Sequence, residues 1–210
     1  MMTVREAFLR ASSFLRERGV EEVEASAELL LQHVLGVNRA RMLMMWSDPI
    51  DSSVIDDFFS LIGRRAAGEP VQYIMGETFF CDLKFKVTKD VLIPRPETEL
   101  LVEQIGRIGQ ELWGGEGTPL VIDVGTGSGA IAVSLAVRRP SWHVVASDIS
   151  TKAIEVAREN ATLNGARIEW LEGDLLEPAL ERFGGSIDIV VSNPPYICTA
   201  DIPGLQREVR

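Results

Sequence analysis

Leu120-Val121-Ile122-Asp123-Val124-Gly125-Thr126-Gly127-Ser128-Gly129-Ala130 is the stretch on which the reading of the fold turns. An apolar run of strand length ends in three alternating glycines. Helix-forming residues 130–138 follow immediately. Glycines permit a turn tight enough to reverse the chain and leave bare backbone for a ligand. The pattern predicts a buried strand, a sharp loop and a helix.

Working outward toward the C-terminus, strands are expected at residues 144–146, 168–171 and 187–192, with a helix at 151–163. Strands alternating with helices build a parallel sheet covered on both faces. In such α/β sheets ligands lie beyond the carboxyl ends of the strands. In the other direction, residues 114–119 carry three glycines and a proline and mark a loop, and an extended approach at 91–96 leads into a helix over about 97–108. Tyr73, Ile74, Phe79, Phe80, Leu83, Phe85 and Val87, punctuated by Gly76 and Asp82, predict short extended runs forming a hairpin linker over 71–95. Residues 1–70 read as a bundle of four helices. The first carries a Thr3/Glu6 capping box, the second stops at Gly36, the third breaks at Asp48-Pro49 and the fourth starts at Ser52-Ser53. The expected organisation is a helical domain at 1–70, the linker at 71–95 and an α/β domain at 96–210.

Composition narrows the function classes. The 210 residues carry a formal net charge of −10. Proteins that grip a nucleic-acid backbone do so through Lys and Arg patches, and the one compact basic group here is Arg64-Arg65. A protein or small-molecule substrate is expected, without direct nucleic-acid contact. No apolar run reaches the roughly 18 to 20 residues that span a bilayer, so no membrane association is expected. Cys81 and Cys198 lack metal-ligand spacing, and a reducing cytoplasm is the natural setting. A monomer is expected.

Three sites carry chemistry. The glycine spacing Gly125-x-Gly127-x-Gly129 lacks the third-glycine offset of a dinucleotide fingerprint. Asp123 would repel a pyrophosphate, but can hold an ammonium group directly or through water; the alternative is a plain strand-to-helix turn. Asp148, about 20 residues on, can accept both hydroxyls of a ribose, or else it or Ser150 caps the following helix. Asn193-Pro194-Pro195-Tyr196 follows an apolar strand. Two prolines stiffen the backbone and leave carbonyls free, and Asn193 adds a side-chain acceptor. A substrate –NH2 can donate one hydrogen to Asn193 and one to the Pro194 carbonyl, while Tyr196 stacks on the planar group.

Together these sites resemble the class I S-adenosylmethionine-dependent methyltransferases, with a Rossmann-like domain. The closer resemblance is to the protein-glutamine methyltransferases of class 1 peptide chain release factors, the PrmC/HemK family. It is carried by Pro70-Val71-Gln72-Tyr73-Ile74-x-Gly76, by Pro94-Arg95-Pro96-Glu97-Thr98-Glu99 and by Asn193 to Ile197. The resemblance implies S-adenosylmethionine as donor, S-adenosylhomocysteine as product and no metal. It implies donor binding by Asp123, Gly125, Thr126, Gly127, Ser128, Gly129, Asp148, Leu175 beside the adenine, and Asn193. Asn193, Pro194, Pro195 and Tyr196 would be catalytic and hold the glutamine of a release factor's Gly-Gly-Gln loop. Arg95, Pro96 and Glu97 would shape the donor pocket, and the helical domain would recognise the substrate. The family's sheet has seven strands. This sequence reaches Arg210 after about four, so a fragment lacking the C-terminal strands is expected.

Rival readings are an adenine methyltransferase of nucleic acid, an inactive methyltransferase-like protein-binding module and a nicotinamide dehydrogenase. The charge disfavours the first, and the glycine spacing the last.

Overall fold

A computed structural model describes residues 1–114 and 117–194. The chain divides into two compact units, the first being residues 1–75 and the second starting at Gly76.

In the first unit, α1 (Val4–Glu17), α2 (Val23–Leu35), α3 (Arg39–Met44), α4 (Ser52–Ala66) and α5 (Val71–Met75) surround one apolar core. The predicted capping box closes α1: Thr3 Oγ1 accepts from the Glu6 amide, and Glu6 accepts from the Thr3 amide. Apolar spacing places Val4, Ala7, Ala11 and Leu15 on one face of α1, all fully buried beside Leu30, Leu31, Phe58 and Ile62. One expectation changes here. Tyr73 and Ile74 are helical rather than extended, since Val71 and Ile74 sit three apart and both bury one face of α5 in the bundle core. The Arg64-Arg65 pair is not an open basic patch. Arg64 is held by both carboxylate oxygens of Glu69 at 2.8 Å, and Arg65 is buried, donating to Ser26 Oγ and the Glu21 carbonyl.

The second unit opens with a hairpin of β1 (Glu77–Phe80) and β2 (Leu83–Lys86). Its two-residue turn, Cys81-Asp82, has positive φ at both positions (51° and 63°), the geometry that matches strand twist in tight hairpins. Helix α6 (Glu97–Trp113) follows and runs past the expected end near 108. Gly109 lies inside it because a Cβ there would sit 2.2 Å from the Trp142 ring. Then come β3 (Leu120–Val124), α7 (Ala130–Arg138), β4 (His143–Asp148), α8 (Thr151–Leu163), β5 (Glu169–Glu172), α9 (Glu177–Phe183) and β6 (Ile189–Ser192). The short helix α9 is not anticipated by the sequence reading.

Four described strands form a parallel sheet in the order β5-β4-β3-β6. The central strand β3 is buried throughout. Its alternation sorts the two faces: Leu120, Ile122 and Val124 join Val145 and Ala179 of α9, while Val121 joins the α6 and α7 side. The strand order reverses between β3 and β6, and a crevice beyond the carboxyl ends of the strands is expected at such a point. No described helix is long and apolar enough to cross a membrane.

Candidate functional site

The glycine loop leaves β3 and folds back over the end of β4. The Gly125 and Thr126 amides donate to the Ser147 carbonyl at 2.8 and 3.0 Å, and the Gly127 amide donates to Asp148 Oδ2 at 2.9 Å. Thr126 and Ser128 are buried, whereas Gly125 is exposed. Gly125 and Gly127 have φ of +70° and +54°, and a Cβ on either would meet no atom within 4 Å. Backbone conformation therefore demands glycine there, and the loop presents a bare face. Gly129 is different: at φ +81° its Cβ position lies 3.0 Å from the Ala157 Cβ, so this glycine seats α7 against α8.

Asp123 is placed beneath this loop, not on it. It is 1% exposed, and its Oδ2 accepts from Thr126 Oγ1 at 2.7 Å and from the Ala132 amide at 3.1 Å. Ala132 is the third residue of α7, so Asp123 caps the N-terminus of that helix, where backbone N–H groups favour a carboxylate. Asp123 is expected to hold an ammonium group directly or through water; at 1% exposed it is shielded from a direct grip, because β3 alternation turns residue 123 toward α7. Desolvation pushes the Asp123 carboxyl up to about 6. The two hydrogen bonds pull it down, and the nearby Asp148 charge adds to the rise. Its Oδ1 is buried without a hydrogen-bond partner.

Asp148 ends β4 half-buried. Its Oδ1 accepts from the Ser150 amide and its Oδ2 from the Gly127 amide, both at 2.9 Å. Each oxygen keeps a further lone pair. Ser150, not Asp148, caps α8, accepting from the Ala153 amide at 3.2 Å. Two apolar residues near this end of β4 are exposed: Ile149, next in sequence, at 70% and Leu175, in the turn after β5, at 66%. Leu175 has φ +48°, and Ser147 Oγ donates to its carbonyl at 3.3 Å, tying the turn after β5 to β4. Ile149 escaped the sequence reading, although its position directly after Asp148 was a usable signal.

Asn193 follows β6, whose Ser192 lies opposite Val124 and donates Oγ to its carbonyl at 2.8 Å. The ends of β3 and β6 are thus pinned side by side. Asn193 Nδ2 donates to Thr98 Oγ1 at 2.8 Å. Thr98 is buried in the first turn of α6, and its neighbour Glu99 accepts from the Cys81 amide in the hairpin turn at 2.8 Å. The Pro-Arg-Pro-Glu-Thr-Glu segment therefore reaches the strand ends through Thr98. Pro194 is exposed; Pro195 and Tyr196 lie outside the described residues, as does Cys198.

Asn160 joins hairpin and loop. Fully buried on α8, it accepts from the Lys86 amide at 2.6 Å, and its Nδ2 donates to the Lys86 and Ser128 carbonyls, both at 2.9 Å. Only the fold reveals this residue, since its partners lie 74 and 32 positions away.

These features fit a nucleoside-bearing zwitterion: bare loop backbone, a half-buried carboxylate with spare lone pairs, and exposed apolar residues on the adjoining turns. Comparison with known proteins points the same way. Residues 6–76 match the model of the PrmC N-terminal domain, and residues 97–202 that of the methyltransferase small domain. The release factor glutamine methyltransferase of Bacillus subtilis is 44% identical over 210 residues, covering 100% of this chain and 72% of that protein. Its namesake from Chlorobaculum tepidum is 43% identical over 202 residues, covering 94% and 69%, and that of Geobacter sulfurreducens 40% over 208, covering 99% and 70%.

Proposed function

The chain belongs to the release factor glutamine methyltransferase family, and from that premise we infer that it methylates the side-chain amide nitrogen of the glutamine in the Gly-Gly-Gln loop of class 1 release factors. The 44% identity over all 210 residues of this chain to an enzyme of that name is the observation that carries this reading. The fold is the Rossmann-like one of class I methyltransferases, preceded in the sequence by a helical bundle. The family uses S-adenosylmethionine, whose sulfonium supplies an electrophilic methyl group when bound.

The residues have separable tasks. Backbone at Gly125 to Gly129 bears the donor's amino-acid end, with Asp123 and Thr126 holding the loop in shape from beneath. Asp148 accepts from the ribose hydroxyls, and Ile149 and Leu175 cover the flat base. Asn193 Oδ1 and the Pro194 carbonyl accept the two hydrogens of the glutamine amide. An amide nitrogen is a poor nucleophile because its lone pair is conjugated. Acceptors fixed on both N–H groups orient it and stabilise the positive charge that develops, which is electrostatic preorganisation. Alignment contributes through proximity. Pro195 and Tyr196 complete the substrate contact, and the helical unit binds the release factor away from its glutamine loop.

An adenine substrate would need a basic face, and the Arg64-Arg65 pair is committed within the helical unit. The test is incubation with a class 1 release factor and isotopically labelled donor, followed by peptide mass spectrometry. Label on the Gly-Gly-Gln glutamine is expected. Label absent from that residue but present on adenine-containing nucleic acid would refute the reading.

A further inference from the structure

We propose that Thr98 is a positioning residue for Asn193, anchoring its side-chain amide where it meets the substrate. The assignment rests on the glutamine-methylation reading above. An Asn side chain has a broad, two-fold final torsion, so nothing intrinsic to it decides whether oxygen or nitrogen faces a given neighbour. The two orientations have opposite consequences here. A glutamine –NH2 is a donor, and it is held by Oδ1 but opposed by Nδ2.

In the structure Asn193 Nδ2 donates to Thr98 Oγ1 at 2.8 Å. This bond engages the nitrogen end and leaves Oδ1 as the acceptor. Thr98 is suited to the task because it is itself held firmly. It is 8% exposed, its amide donates to the Arg95 carbonyl at 3.0 Å, and Glu99 anchors the same helical turn to the hairpin. Asn193 is in turn held by the Ser192–Val124 bond. A hydroxyl at residue 98 thus anchors a side chain 95 positions later.

The test compares Thr98→Val, which keeps the shape and removes the hydroxyl, with Thr98→Ser, which retains it. Two readouts are taken: methyl transfer to a class 1 release factor beside S-adenosylhomocysteine affinity, and the Asn193 side-chain amide resonance in 15N-labelled protein, assigned by its loss in Asn193→Ala. Thr98→Val should lower kcat tenfold or more, with S-adenosylhomocysteine affinity within twofold of wild type. It should also move the Asn193 amide toward solvent-like shifts and fast exchange. Thr98→Ser should restore both to near wild type. A Thr98→Val protein with wild-type kcat and an unshifted resonance overturns the assignment alone, as does equal loss in both variants. A wild type that binds S-adenosylhomocysteine yet leaves the release factor glutamine unmodified overturns the proposed function and this assignment with it.

Discussion

The two units treat buried polar groups differently. Across residues 1–75 the buried polar side chains are Ser12, Ser26 and Arg65, scattered through an otherwise apolar bundle. Among the described residues from Gly76 onward they are Thr98, Asp123, Thr126, Ser128, Ser134, Ser147 and Asn160. Three of these, Asn160, Ser147 and Thr98, link segments distant in sequence: hairpin to glycine loop, β4 to the turn after β5, α6 to the end of β6. A buried polar group is costly unless its partner is in place, so such a cluster specifies one local arrangement. The helical unit is built for packing, and the strand ends of the sheet unit are built for placement.

That contrast can be broken by substitution. Phe58→Ala removes a ring from the helical core and should destabilise that unit by about 3–5 kcal/mol, read by denaturant unfolding, with S-adenosylhomocysteine affinity unchanged at a temperature where the variant is folded. A parallel loss of affinity would erase the distinction between the units. Asp123→Asn probes the sheet unit. A carboxyl raised to about 6 holds its proton more tightly when folded than when unfolded. Its contribution to stability is therefore greatest below the ordinary aspartate range and falls as pH rises through about 6. The stability of wild type minus that of Asp123→Asn should drop by up to about 3 kcal/mol between roughly pH 4 and 7. A difference that is flat or rising with pH would remove the desolvated carboxylate from the account.

Smaller effects sharpen the picture. Asp148→Ala should weaken S-adenosylhomocysteine roughly thirtyfold, about 2 kcal/mol, by calorimetric titration. Unchanged affinity would leave Asp148 as a loop tether only. Gly129→Ala forces a Cβ against Ala157 at positive φ and should cost about 1–2 kcal/mol of stability. A neutral outcome would mean that α7 and α8 can separate freely.

The sequence made the framework legible because its signals are local. The Thr3/Glu6 box, the glycine loop and the alternation of apolar runs with amphipathic helices each depend on neighbours a few residues apart. Helix α5 was misread because Tyr73 and Ile74 favour strands on their own, and burial of Val71 and Ile74 overrides that preference. Helix α9 was missed although Pro178 sits in its first turn, a usual place for proline, because only seven residues give too little periodicity. Residue types at the strand ends were readable; their orientation was not. Asp123 turned inward, and Thr98 and Asn160 gained their tasks through partners that only the folded chain brings near.

The most direct test of the account is Asn193→Ala, with methyl transfer to a class 1 release factor and S-adenosylhomocysteine affinity measured on the same protein. Transfer should be abolished while affinity stays within about tenfold of wild type, roughly 1.4 kcal/mol. Full transfer activity in that variant would contradict the assignment of the β6 end as the place where the glutamine amide is held.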